Sequence, residues 1–298
     1  MTPESWLEAH AYLRPLAELS AEVERAAAEI AIPEARLPDW DDYRDDFLAG
    51  VTLLQSTAAA IDLDPGGRMA AALIERLALA RSSGWLAAEA RALHAELQPD
   101  PHAARRIVDL LLGDQSAAPP FAGLMRYLGW TVMARFIGPI VVAFNSWRDE
   151  EKWHRRYCPT CGSLPAMAQL VAEEHGRLRL LCCGCCGTRW RYGRTMCPFC
   201  QADTQRLSAV TVEGESGLRI DYCEACRGYL KTYVGEGSES VLLADWTSLH
   251  LDLVAAQRGL KREAASLYDL DPAFAGALSL IERSDLTAAT PQADRPST

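Results

Sequence analysis

Cys158-Pro159-Thr160-Cys161-Gly162, Cys182-Cys183-Gly184-Cys185-Cys186-Gly187, Cys197-Pro198-Phe199-Cys200 and Cys223-Glu224-Ala225-Cys226 are four sulfur-bearing turns that decide the fold of this 298-residue chain. All ten cysteines lie between Cys158 and Cys226, and none precedes them. So tight a cluster needs a local cause. In a compartment that keeps thiols reduced, that cause is metal coordination rather than disulfide bonding.

Cys158/Cys161 paired with Cys183/Cys186 leaves 21 residues between the knuckles, and Cys197/Cys200 paired with Cys223/Cys226 leaves 22. Both spacings match a metal ribbon. The halves also repeat: Cys158 to Cys197 is 39 residues and Cys183 to Cys223 is 40. Within each half the pattern predicts a β-hairpin. Met167–Ala172 turns through Glu173-Glu174-His175-Gly176 into Arg177–Leu181, and Arg206–Val212 turns through Gly214-Glu215-Ser216-Gly217 into Leu218–Tyr222. One supersecondary unit is used twice, with one metal per unit.

Thiolate is the donor a borderline-soft divalent ion prefers, bound at about 2.3 Å in a tetrahedron. Two cysteines on one tight turn supply one edge, and the hairpin delivers the other. The expected ligands are Cys158, Cys161, Cys183 and Cys186 for one ion, and Cys197, Cys200, Cys223 and Cys226 for the other. Four protein ligands close a site to water and substrate, so these ions are structural or electron-transferring and no catalytic residue is expected. Cys182 and Cys185 form an equally spaced alternative in the second knuckle. Cys183 and Cys186 are preferred because Gly187 then follows the ligand as Gly162 follows Cys161. The spare pair either packs beside the site or forms a reactive thiol pair.

Working outward, residues 1 to about 150 show helical periodicity in Leu13–Ile30, Met69–Leu79, Trp85–Leu97 and Ala103–Leu112. Breaks fall at Ile32-Pro33, Asp64-Pro65-Gly66-Gly67, Gln98-Pro99-Asp100-Pro101 and Ala118-Pro119-Pro120. The run Asp39 to Asp46 reads as a solvated helix start. A long apolar helix pair, bent at Gly138-Pro139, is expected over Phe121–Trp147. Its charge-free part is too short for a bilayer, so no membrane is expected. The opening residues lack a cationic start followed by an apolar run, so no signal peptide is expected and a cytoplasmic location follows.

After Gly235 helical periodicity returns in Ser240–Ala265. The fold class is therefore multidomain α+β. An N-terminal all-α helical domain (1–152) precedes two small rubredoxin-like or zinc-ribbon β domains (153–195 and 196–236), a C-terminal helical segment (237–283) and a disordered tail (284–298).

Net charge is −10. Residues 152–235 carry 12 Lys/Arg and 7 Asp/Glu, a net of +5 that two four-thiolate sites at −2 each bring to about +1. That balance lacks a nucleic-acid footprint. The histidines His10, His94, His102, His154, His175 and His250 are scattered and read as surface or satisfied core residues.

The order of motifs resembles the formate dehydrogenase accessory protein family, FdhE. The resemblance rests on Cys158-Pro159-Thr160-Cys161-Gly162-Ser163-Leu164-Pro165, on Cys183-x-x-Cys186 followed by Trp190 and Arg194, on Cys197-x-x-Cys200, and on Cys223-x-x-Cys226-Arg227-Gly228-Tyr229-Leu230-Lys231. It spans about 75 residues. Such a resemblance implies a cytoplasmic, non-catalytic helper that binds the catalytic subunit of respiratory formate dehydrogenase. It also implies iron in two rubredoxin-like sites; the thiolate ligands themselves accept zinc equally. A homodimer is a further expectation. A rubredoxin-like electron carrier and a nucleic-acid-binding zinc ribbon are the alternatives. Trp190 is expected in the core. Tyr229 and Lys231 stand either on a partner surface or over the second ribbon's small core.

Overall fold

A computed structural model describes residues 2–80, 84–119, 121–174, 176–212, 214–215, 217–236 and 243–270. The tail expected over 284–298, His175, Ser216 and the start of the Ser240–Ala265 helix lie outside them.

Among the described residues, seven α-helices precede the cysteines: α1 (Pro3–Ala9), α2 (Arg14–Ala28), α3 (Trp40–Ala49), α4 (Asp64–Leu79), α5 (Trp85–Leu97), α6 (Ala103–Leu111) and α7 (Ala122–Trp147). The acidic run begins α3 as expected, with Asp39 accepting from the Asp41 amide at 2.9 Å. In α2, Leu16, Leu19, Val23 and Ala27 make one buried stripe. Two expectations are corrected. Asp64-Pro65-Gly66-Gly67 is the first turn of α4 rather than a break. Proline suits a first turn, where its missing N–H costs nothing. The glycines there let neighbours approach: a Cβ on Gly67 would lie 2.3 Å from the Ala104 carbonyl oxygen. The expected pair over Phe121–Trp147 is one continuous helix, Ala122–Trp147, with Pro139 inside it. Its apolar side chains, including Trp130, Ile137 and Phe144, are buried in the core and hold it together. By length and composition α7 is the single helix among the described residues that is apolar enough to cross a membrane, and 56% of that window is buried in the fold.

The cysteine region forms β1 (Met167–Glu173), β2 (Gly176–Cys182), β3 (Arg189–Arg191), β4 (Leu207–Thr211), β5 (Leu218–Cys223) and β6 (Tyr229–Val234). β1–β2 and β4–β5 are the two expected hairpins. Each unit gains a third antiparallel strand after its second knuckle, β3 or β6, which the sequence reading did not anticipate. The units then join: β1 pairs parallel with β6, Met167 opposite Lys231, giving one six-stranded sheet in the order β3-β2-β1-β6-β5-β4. β6 has partners on both sides, and its residues are buried from Tyr229 through Tyr233.

Helix α8 (Leu249–Gln257) is shorter than the expected Ser240–Ala265 pattern. Gly259 at φ +65° and the bond from the Leu260 amide to the Ala255 carbonyl end it. The chain then runs back along the fourth knuckle: the Tyr229 amide donates to the Lys261 carbonyl at 3.2 Å, and the Lys261 amide to the Arg227 carbonyl at 2.8 Å.

Candidate metal centres

The four knuckles share one backbone device. The amide of the first cysteine donates to the carbonyl five residues on: Cys158 to Ser163 at 2.9 Å, Cys183 to Thr188 at 2.9 Å, Cys197 to Ala202 at 2.8 Å and Cys223 to Gly228 at 2.9 Å. The residue after the second cysteine is always left-handed, with φ +81° at Gly162, +72° at Gly187, +63° at Gln201 and +64° at Arg227. The first unit meets this demand with glycine. The second places side chains where L-residues carry roughly 1–2 kcal/mol of strain. Gln201→Gly is therefore expected to stabilise the second unit by about 0.5–1 kcal/mol, after allowing for glycine's greater freedom when unfolded. Thermal melting of the metal-loaded protein measures it.

These turns bring the expected residues together in two groups, Cys158, Cys161, Cys183, Cys186 and Cys197, Cys200, Cys223, Cys226, with all sulfurs of a group within 4.8 Å of one another. Facing sulfurs are 3.5 Å (Cys158–Cys186) and 3.4 Å (Cys161–Cys183) apart in the first group, and 3.8 Å (Cys197–Cys226) and 3.7 Å (Cys200–Cys223) in the second. All ten cysteines are free thiols. A tetrahedron with metal–sulfur bonds of about 2.3 Å has edges of about 3.8 Å, so the donor set fits a thiophilic divalent ion. Backbone amides already point at the sulfurs: Cys185 to Cys183 at 3.4 Å, Phe199 to Cys197 at 3.4 Å and Gly228 to Cys226 at 3.3 Å. Such donors stabilise thiolate charge.

The two groups differ in setting. Every ligand of the first is buried, and burial pushes the Cys158 thiol well up. Charging four such sulfurs demands a compensating cation. Buried Arg148 supplies part of that field. Its charge is felt by Cys158 and Cys186, and its Nε and Nη1 have no hydrogen-bond partner among the described residues. The first knuckle is also bolted to the helical part. The Leu53 and Leu54 amides each donate at 2.9 Å to the Pro159 and Thr160 carbonyls, and Tyr157 Oη donates to the Gly50 carbonyl at 2.8 Å. In the second group Cys197 and Cys223 are buried, Cys226 is half-buried and Cys200 is exposed.

Cys182 and Cys185 stay outside both groups. Cys182 is buried, and burial pushes its thiol up to about 12, which marks it as a packing residue. Cys185 Sγ lies 3.5 Å from Ser163 Oγ. Trp190 is in the core, its Nε1 donating to the Arg155 carbonyl at 3.0 Å. Tyr229 and Lys231 face inward. Tyr229 Oη donates to Asp252 at 2.7 Å, and fully buried Lys231 pairs with Asp245 at 2.6 Å and Asp252 at 2.8 Å. Arg262 pairs with the same two carboxylates at 2.8 Å. Sequence reading found no sign of this clasp, whose members lie on β6, α8 and the flanking segments.

His10 and His250 are buried in the core, and His10 is hydrogen-bonded, as the sequence leads one to expect. His10 and His250, 240 positions apart in sequence, meet over Glu215. No local motif announces it.

With the geometry in place, the chain can be set beside known proteins. A family model described as FdhE, central domain, matches residues 157–194. A Protein FdhE homolog of Stutzerimonas stutzeri is 32% identical over 170 residues, 54% of this chain and 52% of that protein. The Protein FdhE homolog of Pseudomonas aeruginosa is 29% identical over 164 residues, 51% and 50% of the two chains. Protein FdhE of Escherichia coli is 29% identical over 147 residues, 49% and 46%. The chain thus matches about half the length of these curated relatives. The crystal structure of the FdhE protein from Pseudomonas aeruginosa superposes with a TM-score of 0.59 over 91% of this chain and 98% of that one, at 23% identity, which establishes a shared fold.

Proposed function

We propose, from the premise that this chain belongs to the FdhE family, that it is a non-enzymatic accessory protein for respiratory formate dehydrogenase, binding the catalytic subunit in the cytoplasm. The observation that carries the reading is the pair of closed four-sulfur groups set on one sheet beside a helical body. Closed thiolate sites hold a shape rather than activate water or substrate. The working parts are the helical domain (1–152) and the two metal units (153–195 and 196–236), with Cys158, Cys161, Cys183, Cys186, Cys197, Cys200, Cys223 and Cys226 as ligands. Iron is the favoured metal through the family, and zinc satisfies the same sulfurs.

In cells that respire formate, loss of this protein is expected to leave the catalytic subunit made at its normal level but inactive. The tagged chain is expected to co-purify with that subunit and to carry iron on anaerobic metal analysis. Formate oxidation that persists unchanged without the protein sinks the proposal. One observation favours a second reading, an electron carrier: exposed Cys200 brings an edge of the second group to the surface. A colourless protein holding only zinc removes that option.

A further inference from the structure

His10 closes α1, Glu215 sits on the turn between β4 and β5, and His250 is in the first turn of α8. Their side chains are almost wholly buried, at 9%, 7% and 7% exposure. Glu215 Oε1 lies 2.9 Å from His10 Nε2 and 2.7 Å from His250 Nε2.

The protonation pattern is over-determined. His10 Nδ1 lies 3.0 Å from the Trp6 carbonyl oxygen. A carbonyl only accepts, so Nδ1 carries the hydrogen and a neutral His10 turns the lone pair of Nε2 toward the carboxylate. A cation must stand between them, either a proton on Nε2 or a metal ion. Nδ1–H bonded to a backbone carbonyl is also the way metal-ligating histidines are oriented. His250 narrows the choice of cation. Its Nε2 lies at ion-pair distance from Oε1 but off the line of a hydrogen bond, and its Nδ1 has no partner among the described residues. The axis of Nε2 therefore passes beside the oxygen rather than through it. Protonating this ring would bury its Nδ1–H without an acceptor among the described residues. Glu215 Oε2 is buried and without a hydrogen-bond partner among the described residues.

We propose that His10, Glu215 and His250 form a third metal site, for a divalent ion that takes imidazole and carboxylate together, with zinc as the representative. Donors about 2.1 Å from such an ion stand about 3.4 Å apart, so the carboxylate withdraws by roughly 0.5 Å as the ion enters. Glu215 rides on a turn with left-handed glycines at Gly214 (φ +86°) and Gly217 (φ +81°), and a Cβ at Gly214 would meet nothing within 4 Å. Three protein donors leave a fourth position, unlike the thiolate groups. Tyr12 and His250 both line a cavity of about 590 Å³. The ion would tie the N-terminal helix, the second hairpin and α8 at one point.

The test is cobalt(II) titration of the full chain whose eight ligand thiolates are already filled, followed by gel filtration and elemental analysis. The expected result is one further equivalent, with d–d bands but no sulfur-to-cobalt charge transfer. It should be absent from Glu215→Gln and His250→Gln, while the thiolate-bound metals and the circular dichroism stay unchanged. Nitrogen-15 spectra of the wild-type histidines provide a second readout that needs no variant to fold: zinc is expected to shift Nε2 of two rings. A wild-type chain that takes up no further equivalent and shows no histidine shift overturns the proposal. So does a further equivalent undiminished in both folded variants. Neither failure touches the thiolate sites, which report separately.

Discussion

Replacing Cys158 with serine is expected to unfold the first metal unit and loosen the helical part beside it. Structural metal in a thiolate site contributes on the order of 10 kcal/mol of apparent binding free energy. That matches the whole stability of an ordinary domain, roughly 5–15 kcal/mol. Cys158 is fully buried, so a weaker ligand there cannot be replaced by water from the surface. The loss should spread, because the carbonyls of Pro159 and Thr160 accept the Leu53 and Leu54 amides. Hydrogen exchange on the metal-loaded protein should show lost protection in β1–β3 and also at Leu53 and Leu54. Cys200→Ser is expected to be milder, since that ligand is exposed and its group has no comparable bond to the helices among the contacts described above. If the Cys158 variant keeps a full metal complement and melts with the wild type, the first group is not a metal site. Chelation of the wild-type protein should reproduce the stronger phenotype.

Asp245→Asn is expected to cost on the order of 3–5 kcal/mol, the usual cost of leaving a buried charge without its partner. Asp245 receives Lys231 Nζ at 2.6 Å, Arg262 Nη2 at 2.8 Å and Ser266 Oγ at 2.7 Å. Burial alone would raise its pKa; Lys231 and Arg262 outweigh that and hold the carboxyl well below the usual carboxylate range. A depressed folded-state pKa contributes stability that is complete above the unfolded value, about 3.9, and fades as pH falls toward the folded value. The gap between wild type and variant should therefore be flat from pH 8 to about 5 and narrow below about 4. Thermal melting across that range measures it, and exchange at the Tyr229 and Lys261 amides should locate the opening. A gap that widened in acid would contradict this account.

Much of the metal chemistry was legible in the chain. Paired cysteines act over three residues, and the turn that joins them is set by its own amides and by the left-handed residue after each pair. Hairpins are local too, so Met167–Ala172 with Arg177–Leu181 could be read directly. β3 and β6 were missed because three strand residues after a knuckle leave little pattern, and because β6 is a buried run rather than an alternation. Asp64-Pro65-Gly66-Gly67 looked like a break because glycine's usual meaning is a turn. Its meaning here, close approach of Ala104, needs the neighbouring helix.

By itself, then, the sequence determined the two four-sulfur groups, their duplicated hairpins and the helical body before them, because each depends on interactions between residues near in the chain. Only the tertiary structure decided that the two units share one sheet through β1 and β6, that Lys231 is a buried clasp, and that His10 and His250 meet on Glu215. Those contacts join residues from 14 to 240 positions apart. No local periodicity encodes them; they arise from the way packed elements meet once the core has closed.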